Sequence, residues 1–116
     1  MHIPHFIIDC SAMVLKTNNE EYLIEQIHHQ ANSTGLFDES DIKVRVNPFN
    51  VHSVGNKRED FIHVFAHIMQ GRTTEQKANL SKLIVSKLVN LFPDVPNIAM
   101  NISDFEKATY CNRAMV

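Results

Sequence analysis

Apolar and polar positions along this chain change their repeat several times, and each change marks an element. From Pro4 to Ser11 the run PHFIIDCS is short, mostly apolar and rich in β-branched and aromatic residues, which predicts a strand. Proline is tolerated at a first strand position, where its missing N–H costs least. Over residues 18–34, Leu23, Ile24, Ile27 and Ala31 recur at helical spacing. Asn18 is the expected N-cap of that helix, Glu20 and Glu21 suit its first turn, and Gly35 is the expected stop. Residues 42–49 alternate, with Ile42, Val44 and Val46 on one side and Lys43, Arg45 and Asn47 on the other. Pro48 places the end of this strand at an edge or a bend. The polar stretch 50–59 contains Gly55-Asn56 and predicts a loop or hairpin turn.

Residues 60–70, DFIHVFAHIMQ, are the longest strand candidate. Phe61, His63, Phe65, His67 and Met69 share one face; Ile62, Val64, Ala66 and Ile68 share the other. A strand apolar on both sides calls for cover on both. Thr73 and Gln76 then have the spacing of a capping box. The helix they start runs to about Phe92 with Leu80, Leu83, Ile84, Leu88 and Leu91 as its stripe, and Pro93 ends it. Residues 97–104 alternate again through Ile98, Met100 and Ile102. The tail FEKATYCNRAMV fits either a short helix or a segment packed on a neighbour.

The order is β-α-β followed by β-α-β. Crossover helices favour parallel strands and right-handed connections. Two such units side by side give an α+β fold, a four-stranded sheet with two helices on one face. The bare sheet face then argues for a small oligomer.

The 116 residues fit a single domain, 1–116, and 44% hydrophobic with 21% charged content marks a globular chain. A formal net charge of -2 and the lack of a basic run point away from nucleic acid. No apolar run approaches the roughly 20 residues that span a bilayer. The start lacks a signal-peptide pattern, so the expected compartment is the cytoplasm. Cys10 and Cys111 have no CxxC spacing and read as reduced thiols.

Seven histidines raise the question of a metal. His63 and His67 on one strand lie roughly 13 Å apart, too far to chelate one ion together. Neighbouring His28 and His29 diverge on a helix, and no HExxH is present, so no metal site is expected. Ser11 and Ser33 lack a nucleophile context, and His5 and Asp9 are too far apart along one strand to act as a dyad. Arg72 follows Gly71 at a strand-to-helix junction, beside free N–H groups and the positive helix end. On spacing alone a surface ion pair is the default reading, and an anion site is the other. Lys43 and Arg45 form a second basic pair, which also fits a solvated strand face.

PHFIIDCS, IKVRV and FIHVFAHIMQGRT together resemble the 5-carboxymethyl-2-hydroxymuconate isomerase family of the tautomerase superfamily. The similarity runs in register from Pro4 to about Phe105. It implies the duplicated β-α-β fold, a homotrimer with sheets facing inward, and a cofactor-free isomerase in homoprotocatechuate catabolism. The implied substrate is an unsaturated 2-hydroxy or 2-oxo carboxylate, with no nucleic-acid or membrane partner. The family's base is an amino-terminal proline, and Pro4 stands in its place. Arg72 matches the arginine of its Gly-Arg-Ser/Thr motif, and Arg45 the second of its arginine-x-arginine pair. Lys43 replaces the first, which keeps the charge but loses the bidentate fork. Phe6 and Phe49 could wall a pocket, ordinary core packing being the other reading.

A terminal amine has a pKa of about 8 and can serve as a base when its surroundings lower that value. An amide nitrogen has its lone pair in resonance and cannot. With Met1-His2-Ile3 attached, Pro4 is an amide. Those residues are then extraneous, trimmed, or native to a divergent member. In the last case His2 or His5 supplies a base, or the protein binds an acidic metabolite or a protein partner without turnover.

Overall fold

The computed structural model describes residues 3–116. Six main elements follow in order: β1 (His5–Ser11), α1 (Glu20–Ser33), β2 (Lys43–Phe49), β3 (Phe61–Met69), α2 (Thr74–Leu91) and β4 (Asn97–Phe105). The tail is neither one helix nor a strand but holds two short 3-10 turns, Lys107–Thr109 and Arg113–Met115. The strands form one sheet in the order β2-β1-β3-β4. Each β-α-β unit is parallel, β1 with β2 and β3 with β4, and the two units join antiparallel through β1 and β3.

The core lies between one sheet face and the two helices. Phe6, Ile8 and Cys10 from β1 meet Ile62, Val64, Ala66 and Ile68 from β3 beneath Leu23, Ile27, Ala31, Leu80, Ile84 and Leu88. Leu83, expected in the stripe, is exposed, because three apolar positions per two turns suffice to face this narrow sheet. The odd-numbered side chains from His5 to Asp9, Lys43 to Phe49 and Phe61 to His67 stay partly or largely exposed, while Ser11 and Met69 at the strand ends are buried.

Both helix starts follow local chemistry. Thr73 and Gln76 form the reciprocal capping box: the Gln76 N–H donates to Thr73 Oγ1 at 3.1 Å and the Thr73 N–H to Gln76 Oε1 at 2.9 Å. In α1 the cap is Asn19, which accepts the Tyr22 N–H at 2.9 Å, rather than Asn18. Asn18 donates instead to the Leu91 carbonyl at 2.8 Å and thereby satisfies an orphan acceptor at the end of α2. Gly55 and Asn56 both take positive φ, 57° and 63°, and close a tight turn between Val54 and Lys57.

Candidate active site at the Pro4 end of the sheet

The strand directions bring the starts of β1 and β2 and the ends of β3 and β4 to one end of the sheet. Pro4 stands there, directly before β1. Its carbonyl accepts the Lys43 N–H at 3.1 Å, which extends the β1–β2 ladder by one bond. Pro4 is buried, and so is Ile3 at 2% exposure, although Ile3 lies outside the main core cluster. The Pro4 nitrogen is an amide to Ile3. Met1 and His2 lie outside the described residues.

Lys43 and Arg45 project from β2 on the face away from the helices, and both are exposed. Lys43 Nζ donates to the Asp41 carbonyl at 2.8 Å. Arg45 Nη1 lies 3.1 Å from His5 Nδ1. A guanidinium only donates, so Nδ1 carries the lone pair and the His5 proton sits on Nε2. His5 faces His67 across the β1–β3 pair, and its ring meets Phe105 edge-on, 6.2 Å between centroids. Phe105 also contacts His67 at 5.9 Å. Burial lowers the His5 pKa below its ordinary value, and the nearby charges of Arg45, Lys43 and His67 lower it further.

Arg72 reaches the same sheet end by way of Gly71, whose φ of 123° makes the turn out of β3. Its guanidinium donates to the Leu36 carbonyl at 2.6 Å and the Met69 carbonyl at 3.4 Å, and it lies 5.1 Å from the centre of the Phe37 ring. Phe37 packs edge-on against Phe6 in the core. These contacts turn Arg72 toward the helix side of the sheet. The neighbourhood of Pro4 is thus shared by Lys43, Arg45 and His5, while Arg72 clamps the adjacent corner.

Neither Phe6 nor Phe49, the two phenylalanines considered for a pocket wall, lines this end. Phe6 is fully buried in the core, and Phe49 lies at the far end of β2 against Phe61. At that far end Ser11 has a histidine neighbour that spacing did not reveal. The Ser11 hydroxyl lies 2.9 Å from His52 Nε2 and accepts the Phe61 N–H at 2.8 Å, while His52 donates to the Glu59 carbonyl at 3.0 Å. Ser11 is fully buried, so this pair pins the 50–60 loop and is closed to a substrate. His28 and His29 pair with Glu39 and Glu25 at the surface, and His63 bonds Asn101 and stacks on Phe65. Among the described residues no group of three or more His, Cys, Asp or Glu side chains is placed to hold a metal ion. None of the described helices is long and apolar enough to cross a membrane.

From Pro4 onward the chain matches the family described as 5-carboxymethyl-2-hydroxymuconate isomerase, over residues 4–112. The chain belongs to that family. Family membership makes the protein an isomerase or tautomerase in kind. Solved structures agree on the fold. A 5-carboxymethyl-2-hydroxymuconate isomerase from Deinococcus radiodurans R1 superimposes with a TM-score of 0.83 at 17% identity, covering 95% of this chain and 88% of that one. A 5-carboxymethyl-2-hydroxymuconate delta-isomerase gives 0.76 at 11% identity, covering 96% and 87%. A fused 4-OT wild type symmetric trimer gives 0.73 at 16% identity, covering 97% and 96%. No curated protein sequence matches this chain. The tautomerase-like α+β architecture follows, and the family match begins at Pro4.

Proposed function

We propose that the protein is a cofactor-independent isomerase of unsaturated 2-hydroxy or 2-oxo carboxylates such as 5-carboxymethyl-2-hydroxymuconate, with Pro4 as base whenever Pro4 is the mature terminus. The observation that carries this reading is the family match starting at Pro4, with two cationic side chains, Lys43 and Arg45, on the strand bonded to it. A free proline amine removes the enol O–H proton. The O–H electron pair becomes the new C=O, the conjugated double bonds shift, and the same nitrogen returns the proton to a distal carbon, forming a C–H bond. Lys43 and Arg45 hold carboxylates, and Arg72 adds positive potential that favours the enolate. Three copies meet through the open sheet faces, in line with the trimeric 4-OT neighbour, and the assembly works in the cytoplasm on a small carboxylate.

A second reading is favoured by the buried Ile3. With Ile3 attached the nitrogen is not basic, while the Lys43–Arg45 pair is unchanged. In that form the protein binds an acidic metabolite without converting it.

A chain of residues 4–116, assayed on 5-carboxymethyl-2-hydroxymuconate and 2-hydroxymuconate, tests the proposal. Turnover is expected, with Arg45→Ala and Lys43→Ala each raising KM by about 10-fold or more, as loss of a charged hydrogen bond implies. Absence of turnover on both dienoates from a folded chain with a free Pro4 amine contradicts it. A sedimentation mass of three chains is the expected assembly.

A further inference from the structure

We infer that His5 is a catalytic hydrogen-bond donor of this site, presenting its Nε2–H to the 2-oxygen of the substrate, with Arg45 as the residue that sets its tautomer. The inference rests on the isomerase reading and adds a donor that the basic residues alone do not supply.

The geometry argues it in three steps. His5 is the residue next to Pro4 and lies on the same face as Lys43 and Arg45. Its Nδ1 lies 3.1 Å from Arg45 Nη1, which can only donate, so the ring is a neutral imidazole with its one proton on Nε2. Among the described residues Nε2 has no hydrogen-bond partner. The groups that face the ring from its neighbours are Arg45 and Lys43 on β2 and His67 on β3, with apolar Phe105 on β4. Two of these are permanent cations, and none is an acid. Protonation of His5 is therefore opposed from each side that carries charge. A neutral donor that does not change charge suits an oxygen that alternates between hydroxyl, enolate and carbonyl.

Arg72, the other candidate for that oxygen, already spends two donors on the carbonyls of Leu36 and Met69. His5 meets no such competition. No atom is transferred through His5: its N–H stays intact while Pro4 moves the proton.

The test has two arms. The full chain 1–116, in which Pro4 is an amide, is labelled with ¹⁵N-histidine and titrated with 2-hydroxymuconate as probe. The expected spectrum at neutral pH shows His5 with a protonated Nε2 and a bare Nδ1, and the probe shifts Nε2. Arg45→Met is expected to remove the tautomer bias. In the chain 4–116, His5→Leu is expected to lower kcat by about 100-fold with KM within about threefold, and His5→Gln, which keeps an N–H donor, to recover part of the loss. A proton on Nδ1, a probe that binds without moving Nε2, or a His5→Leu variant with unchanged kcat overturns the inference. An inactive 4–116 chain whose His5 Nε2 still shifts with the probe fails the isomerase reading instead, so the two failures are distinguishable.

Discussion

Arg72 donates through Nη2 to the carbonyl oxygen of Leu36 at 2.6 Å, and so ties the exit of α1 to the exit of β3. The bond places a cation near the C-terminal end of a helix, where the carbonyls favour it. Two planar donors and a ring contact with Phe37 make this a guanidinium site, not a general positive site. Arg72→Lys is therefore expected to lower folding stability by about 1–3 kcal/mol, since it cannot serve both carbonyls and the ring face. A shift of the urea midpoint with an unchanged slope is the measurement. An unchanged midpoint would free Arg72 from the structural role assigned to it.

His5 links stability to acid. Its pKa lies lower in the folded chain than the ordinary 6.5, because of burial and then the charges of Arg45, Lys43 and His67. The unfolded chain thus takes up the proton first as pH falls. The contribution is complete above about pH 6.5 and is lost below it, as pH falls through the folded value. His5→Gln is expected to flatten the stability profile below about pH 6.5 relative to the parent chain. Parallel denaturant midpoints at several pH values read this directly, and identical slopes for the two chains would contradict it.

Ser11 and His52 resemble a reactive pair only in distance. The Ser11 hydroxyl accepts the Phe61 N–H and stands beside Nε2 of half-buried His52, and Ser11 itself is shut from solvent at the end of the sheet remote from Pro4. Ser11→Ala leaves the half-buried Phe61 N–H without its acceptor, and the expected cost is about 1–2 kcal/mol of stability with turnover retained. Loss of activity in a variant of normal stability would show that the pair takes part in chemistry.

The two cysteines differ by burial. Cys10 is buried in the core, and its pKa is pushed up to about 11, first by burial and then by the negative charges of Glu20 and Asp9. Cys111 is exposed. A thiol reagent near neutral pH is expected to modify Cys111 quickly in the native protein and Cys10 only after unfolding. Fast reaction of both without denaturant would mean that β1 opens locally.

Much of the fold was legible in the chain because it is written in local repeats. Alternation in 42–49 and 60–70 separates Val44 from Arg45 and Ile62 from His63, and the structure keeps those faces apart. The Thr73–Gln76 capping box lies within one turn, so spacing alone reveals it. What stayed hidden depends on residues distant in sequence. Asn18 and Asn19 are equally good caps until the end of α2 arrives to claim Asn18. The His5–Arg45 contact needs the parallel register of β1 and β2, and no local pattern specifies that offset. Arg72 gave no sign of its clamp because the carbonyls of Leu36 and Met69 carry no side-chain signature. Family resemblance supplied the candidate roles of Pro4, Lys43, Arg45 and Arg72, the sequence itself makes the Pro4 nitrogen an amide, and the structure adds the burial of Ile3 beside it.

The central claim is that isomerase chemistry in this chain depends on a free Pro4 amine. The most direct test compares chains 1–116 and 4–116, equal in concentration and in folded content, in one ultraviolet assay of 5-carboxymethyl-2-hydroxymuconate conversion. The account predicts turnover by the chain that starts at Pro4, and a fall of at least about 100-fold in kcat when Ile3 is attached and the nitrogen is an amide. Equal kcat for the two chains, with intact mass proving that Met1-His2-Ile3 remain in place, would contradict it.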